Sequence, residues 1–392
     1  MRIAIYGGSF DPPHLGHIKA AETAEKVLAP DRLMIIPVCI PPHKEPAAGS
    51  PTAEQRMGLC RRAFSGIPHT EVSDLEIRRG GKSFTCDTVE QLRSDFPDAD
   101  IFLVIGSDML MCFETWRDSR FLLENCTLAV LTRLREGNGE LASKAGMLRD
   151  RFGARVVIVP HEPVETSSEE VRRKLMCRAG TDRLSEAVYS DIIRHRFYGA
   201  KPDLNWLRAQ VMPMIDEKRR AHVLGCEKEA VRLAERWGED PELAAEAAIL
   251  HDITKKLTAS EQLNLCEKYG IIIANSGRQN YRLLHAVTGA ALAGDLFGAD
   301  ETVCEAIRCH TTGKPGMTQV EKILYLADYI EPTREFDGID ELRQLSFQDI
   351  DAAMALGLKM TVDEVKRSGF ELCTDTLDAY EWFIRKGEMK TC

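Results

Sequence analysis

At about residue 198 the hydrophobic pattern of this 392-residue chain changes period, and that change constrains its architecture more than any single motif does. Before it, short β-branched runs alternate with helical periods. RIAIY, RLMIIPV, IFLVIG, TLAVLT and RVVIVP read as buried strands. Between them, segments such as AEQRMGLCRRAF and CDTVEQLRSDF carry apolar residues at helical spacing. Such alternation predicts a parallel sheet with helices on both faces, with ligands at the carboxyl ends of its strands. Beyond FYGAKPDLN the strands vanish, and ELAAEAAILHDITKKL, TVCEAIRCH, QVEKILYLADYI and FQDIDAAMALGLKMTVDEVKR all have helical periods. Gly199 and Pro202 mark a short linker. The expectation is an α/β domain over residues 1–198 and an all-α domain over 204–392. A chain of this length is also too long for one typical core.

Composition narrows the function classes. A net charge of −10 argues against a general nucleic-acid binder, which carries a basic face. No run approaches the roughly 18 apolar residues of a membrane span. The chain begins directly with a core strand, leaving no room for a signal peptide. Its twelve cysteines are scattered without a C-x-x-C pair and read as reduced thiols. The expected setting is the cytoplasm, with no nucleic-acid or membrane partner and a homo-oligomer left open.

The opening MRIAIYGGSFDPPHLGH points at a triphosphate. Gly7 and Gly8 let backbone approach a ligand closely, and the helix start that follows offers unpaired N–H groups and a positive dipole end. His14 and His17, three residues apart, share one face of that first turn. The string GGSFDPPHLGH resembles the nucleotidyltransferase signature GxFDPxHxGH. Further clusters follow in order: PVCIPPHK, SFTCDT, IGSDM with Trp116 close behind, TSSEEVR, and the closing LSEAVYSDIIRHRFY. Together they resemble bacterial nicotinate-nucleotide adenylyltransferase over essentially the whole first half. The resemblance implies a Rossmann-like nucleotidyltransferase domain that transfers AMP from ATP to nicotinate mononucleotide, giving deamido-NAD and pyrophosphate. It implies a nucleotide-binding turn at Gly7, Gly8, Ser9 and Phe10. It assigns His14, His17, Lys44, Ser167, Ser168 and Arg172 to the ATP phosphates, Thr85 and Trp116 to the nicotinate side, and Asp108 to the nucleotide site. The mononucleotide phosphate is itself the nucleophile, so His14, His17, Lys44 and Arg172 serve by positioning and charge stabilisation together with the Mg²⁺ of ATP. Ser107 and Met109 depart from the family's usual Ala and Asn, and Thr166 and Glu169 alter its I-S-S-T.

The second half holds four histidines, His222, His251, His285 and His310. The HD dipeptide of His251 and Asp252 means little by itself. The set KRRAHVLG, ILHDITKK, LLHAVTG, IRCHTTG and LADYIEPTR places an imidazole or carboxylate inside five otherwise apolar helices, where a buried polar group needs a partner. A metal is the economical one, and mixed His/carboxylate ligation suits Fe, Mn or Co better than Ca. Adjacent His251 and Asp252 reach a metal together only at a shared edge or a two-metal centre. Order and spacing resemble the HD-superfamily metal phosphohydrolases. HTTG with DYIEPTR is similar to their symmetrical diadenosine tetraphosphatases over about residues 204–386. The resemblance implies an iron-containing site that splits diadenosine tetraphosphate into two ADP. His222, His251, Asp252 and Asp328 would hold the first metal, and His285 and His310 a second metal or the polyphosphate. Lys255 would neutralise phosphate, and Arg334 would contact the nucleotide or stand as a surface residue. Two alternatives stay open: another nucleotide or phosphomonoester substrate, and a sensor without turnover that regulates the transferase.

Overall fold

The structure, a computed structural model, describes residues 1–42, 45–133, 138–273 and 281–390. Its contacts divide the chain into two compact units, Met1–Lys201 and Pro202–Cys392.

The first unit is built on a six-stranded sheet: β1 (Arg2–Gly8), β2 (Arg32–Pro37), β3 (Thr70–Val72), β4 (Asp100–Gly106), β5 (Thr127–Arg133) and β6 (Arg155–His161). Their spatial order is β3-β2-β1-β4-β5-β6 and every neighbouring pair is parallel. The order reverses between β1 and β4, so their carboxyl ends, at Gly8 and Gly106, flank the crevice where such sheets bind ligands. Ile3, Ile5, Leu103, Ile105, Leu128 and Val130 form part of one continuous core. The helix Leu15–Leu28 buries Ala20, Ala21 and Ala24, small side chains that let it lie close to β1 and β6.

Two strands differ from the sequence reading. β3 went unread, being three half-buried residues, TEV, with no apolar run. β6 was expected to be buried, yet Val157 and Ile158 are 38% and 39% exposed because this strand is the sheet's edge.

The described residues of the second unit form helices. The one over Pro241–Leu250 is its axis, with Ala244 through Leu250 all buried, the charged Glu246 among them. Pro241 at its first turn and Asp240, whose carboxylate accepts from the Glu242 and Leu243 amides, start it. Helices Leu204–Val211, Glu217–Trp237, Glu301–Cys309 and Gln319–Ile330 pack around it. No described helix is long and apolar enough to cross a membrane.

Candidate active sites

At the first site, β1 runs into its helix through a turn that glycine makes feasible. A Cβ on Gly8 would lie 3.1 Å from the ring of Phe10, which is fully buried and has φ +44°. Phe10, expected at the nucleotide, therefore sits in the core, edge-on to Tyr6, His17 and Phe64. Above it the His14 and His17 rings stack with centroids 3.7 Å apart. The His14 backbone N–H donates to His17 Nδ1 at 3.2 Å, so His17 carries its proton on Nε2. Burial pushes the His14 pKa down to about 4. Burial, then the neighbouring His14, holds His17 well below the ordinary histidine value. Both rings are neutral near pH 7, and each keeps one N–H to donate.

Two cavities meet at this turn, and Ser9 lines both. One, of about 370 Å³, is walled by His14, His17, Arg56, Ser167, Ser168 and Arg172. Ser167 caps the helix Ser168–Met176 by accepting from the Glu170 amide, and Ser168 Oγ donates to the Pro12 carbonyl at 3.1 Å. Arg172 donates to the Asp11 carbonyl at 2.5 Å. The other cavity, of about 580 Å³, is apolar and is walled by Gly7, Gly8, Phe84, Thr85, Gly106 and Trp116. Trp116 stacks on buried Phe113 at 5.0 Å, which fixes one aromatic face at that wall. Thr85 begins the helix Thr85–Asp95. Asp108 stands exposed past β4 and lines neither cavity. Lys44 lies outside the described residues.

Sequence reasoning missed two residues here. Arg56, 6% exposed, donates to the carbonyls of Ser9, Val38 and Cys39 and so ties together the loops after β1 and β2. Asp11 accepts from Ser50 Oγ and Tyr198 OH, both at 2.9 Å, while holding Arg172 through its carbonyl. Asp11 lay inside the recognised motif, whereas Arg56 looked like any polar residue of an amphipathic helix.

The second site gathers residues from five helices around the Pro241–Leu250 axis. One local device recurs. The Nδ1 of His251, His285 and His310 each meets the carbonyl three residues earlier, of Ala248, Arg282 and Ile307, at 2.7, 2.6 and 2.6 Å. His251 and His310 stand at helix C-termini, and the Ile307 carbonyl accepts the His310 amide as well as its ring. His222 Nδ1 meets Glu331 Oε1 at 3.0 Å. Since a carbonyl or carboxylate can only accept, each ring carries a proton on Nδ1, leaving Nε2 able to serve as a ligand.

The four Nε2 atoms converge on two carboxylates. His222 Nε2 is 3.0 Å from Asp328 Oδ1, His251 Nε2 is 3.3 Å from Asp252 Oδ2, and His285 Nε2 is 3.2 Å from Asp252 Oδ1. Two donor groups follow, His222/His251/Asp328 and His251/Asp252/His310, sharing His251. His285 belongs to neither but lies beside the second, its Nε2 3.2 Å from that of His310. Burial opposes the charge of Asp252, yet His251 and the adjacent histidines hold its carboxyl well below the usual range. Burial drives His310 down to about 3 and lowers His285 as well, so those rings are neutral. Burial also works against a charge on His251, but Asp252 outweighs it and raises that pKa. The pocket's field favours a cation. The residues fit a metal: His251 Nε2 is fully buried without a hydrogen-bond partner, and its donor groups combine imidazole nitrogens with carboxylates in one buried space, a set suited to a transition cation.

Three cationic side chains border this centre. Arg219, missed in the sequence, donates to Asp252 and lies 3.3 Å from His222 Nε2. Arg334 donates to Asp328 Oδ1 at 2.8 Å, so it is not a plain surface arginine. Lys255 Nζ is 3.0 Å from His285 Nε2 and faces a cavity of about 540 Å³ that Tyr281 and Arg282 also line.

Comparison with known proteins agrees with this division. Residues 5–174 match the cytidylyltransferase-like family model and residues 219–333 the HD domain model, so one chain joins a nucleotidyltransferase fold to an HD fold. More particularly, the chain belongs to the nicotinate-nucleotide adenylyltransferases over its first half and to the symmetrical bis(5'-nucleosyl)-tetraphosphatases over its second. The adenylyltransferase relative from Gemmatimonas aurantiaca is 37% identical over 179 residues, 45% of this chain and 81% of its own length. The tetraphosphatase of Bacillus subtilis is 37% identical over 177 residues, 45% of this chain and 95% of its own. A Mycoplasma pneumoniae protein named probable nicotinate-nucleotide adenylyltransferase/Ap4A hydrolase is 27% identical over 362 residues, 91% of this chain and 97% of its own.

Proposed function

We propose that the chain is a bifunctional enzyme that transfers AMP from ATP to nicotinate mononucleotide and, separately, hydrolyses diadenosine tetraphosphate to two ADP. For the first activity the supporting observation is the pair of cavities joined at Ser9, one lined by phosphate donors and the other by an aromatic wall. A mononucleotide ring stacked on Trp116 would present its phosphate toward the α-phosphorus of ATP. A phosphate oxygen forms the new bond in line, the bond from the α-phosphorus to the bridging oxygen breaks, and pyrophosphate leaves with the electron pair. No protein nucleophile is needed. His14, His17, Ser167, Ser168 and Arg172 hold ATP oxygens, with Lys44 as a further phosphate contact and Mg²⁺ entering with ATP.

For the second activity the supporting observation is the convergence of four Nδ1-protonated imidazoles on two carboxylates. His222, His251, Asp252, His310 and Asp328 would hold the metal, iron or another borderline transition ion at one or two positions, with His285 beside it. A bound metal would supply Lewis-acid charge and lower the pKa of a water. Lys255, Arg219 and Arg334 would balance the four phosphates. Water oxygen joins a central phosphorus, its bond to the bridging oxygen breaks, and ADP departs from each side. The described cysteines are free thiols, which supports a cytoplasmic setting.

Product analysis tests both. The full chain should release pyrophosphate from ATP with nicotinate mononucleotide faster than with nicotinamide mononucleotide. Loaded with iron or manganese, it should turn diadenosine tetraphosphate into ADP alone. ATP plus AMP as products, or metal binding without hydrolysis of any nucleotide, would defeat the second half of the proposal.

A further inference from the structure

Glu331 lies immediately after the helix that carries Asp328 and is fully buried, yet the phosphohydrolase reading above gives it no task. Its Oε1 accepts from His222 Nδ1 at 3.0 Å and from Thr333 Oγ1 at 2.5 Å, and its Oε2 accepts the Thr333 amide at 2.7 Å. Arg343 holds its backbone carbonyl at 3.2 Å. The carboxylate is therefore fixed from three sides. Room for it is made on the opposite helix: a Cβ on Gly225, one turn beyond His222, would lie 2.6 Å from Glu331 Oε2 and 3.2 Å from Pro332. Glycine is a poor helix-interior residue, so a spacer there serves the carboxylate rather than the helix.

The arrangement decides which nitrogen of His222 is protonated. Left free, the ring would lower its energy by carrying its proton on Nε2 and donating to Asp328 Oδ1, 3.0 Å away. That bond would occupy a ligand nitrogen and a ligand oxygen at once. With Glu331 accepting from Nδ1, Nε2 has no proton and its lone pair faces the cationic side, where Arg219 stands 3.3 Å away and Arg334 donates to Asp328 Oδ1 at 2.8 Å.

We propose that Glu331 is a positioning residue that sets the tautomer of His222 and thereby the metal affinity of the centre, an inference that rests on the metal-site reading above. A carboxylate behind a ligating imidazole typically changes metal affinity by roughly 10- to 100-fold.

The test uses the full chain, stripped with a chelator and titrated with Mn²⁺ alone. The titration is followed by calorimetry and by the rise in melting temperature that the metal produces. E331Q should bind Mn²⁺ roughly 10- to 100-fold more weakly than wild type. T333V, which loosens the carboxylate without touching His222, should shift affinity the same way by less. In an H222A background, E331Q should add no further loss, because the residue acts through that ring. Equal affinity in E331Q and wild type, or an equal additional loss in the H222A background, would overturn the role of Glu331 while leaving the metal centre standing. No Mn²⁺ bound by wild type would instead remove the metal-site reading itself. If E331Q fails to fold, T333V and G225A carry the test, and unchanged affinity in both overturns the proposal.

Discussion

Histidine serves two opposite ends in this chain, and the difference lies in what each Nδ1 meets. In the first unit His17 Nδ1 accepts from a backbone N–H, which leaves Nε2–H as a donor. In the second, Nδ1 donates and leaves Nε2 as a ligand atom. Donors to phosphate need no titration, so the adenylyl transfer rate should show no break near pH 6.5 from these rings. His14→Ala and His17→Ala should each lower kcat/KM for ATP by roughly 10²- to 10³-fold, the cost of one transition-state donor. A second consequence concerns stability. The unfolded chain protonates His14 near the ordinary histidine value of 6.5, whereas the folded chain does so only near 4. The native state therefore loses stability relative to the unfolded one as pH falls through that window. Melting of His14→Gln against wild type should show the difference move in the variant's favour as pH drops from about 7 to about 4.5. A constant difference would contradict the burial of that ring. His14 and His17 of the first site, and the histidines with Asp252 and Asp328 of the second, were legible in the sequence because they interrupt apolar or glycine-rich patterns. Asp11 was legible only as part of a motif. Arg56, Arg219 and Glu331 were not, since nothing in a sequence period separates a buried, multiply bonded charge from a solvated one.

At the scale of elements, the strand–helix alternation was plain wherever a strand is apolar on both sides, as in β1, β2, β4 and β5. It failed at the margins of the sheet. β3 is too short to have a period, and β6 has the composition of a central strand but an edge position, which only the order of strands determines. The two glycines at the strand ends differ in the same unforeseeable way. Gly8→Ala would push a Cβ against Phe10, which is enclosed by Tyr6, His17 and Phe64. Overpacking there should cost roughly 1–3 kcal/mol. Gly106→Ala would meet Asp108 Oδ1, the tip of an exposed side chain that can rotate away, and should be near neutral. Urea unfolding of the two variants checks this, and equal destabilisation would mean that the environment of Gly8 is looser than described.

At the scale of the whole molecule, two units each enclose their own core and their own site. The switch of hydrophobic period near residue 198 lies close to the boundary between the two units at Lys201, and the strand order reverses beside the Gly8 turn, where parallel sheets bind ligands. The second site was legible as a set of residues but not as a geometry. Its decisive feature, each imidazole's Nδ1 satisfied so that Nε2 faces inward, depends on helix ends meeting in space. Independence of the two chemistries is the central claim. It is tested most directly by assaying one full-length preparation for both activities in wild type, His17→Ala and Asp252→Asn. Wild type should perform both. His17→Ala should lose most pyrophosphate release and keep its ADP formation from diadenosine tetraphosphate, while Asp252→Asn should do the reverse. Loss of both activities in either variant, or no ADP from the metal-loaded wild type, would contradict the account.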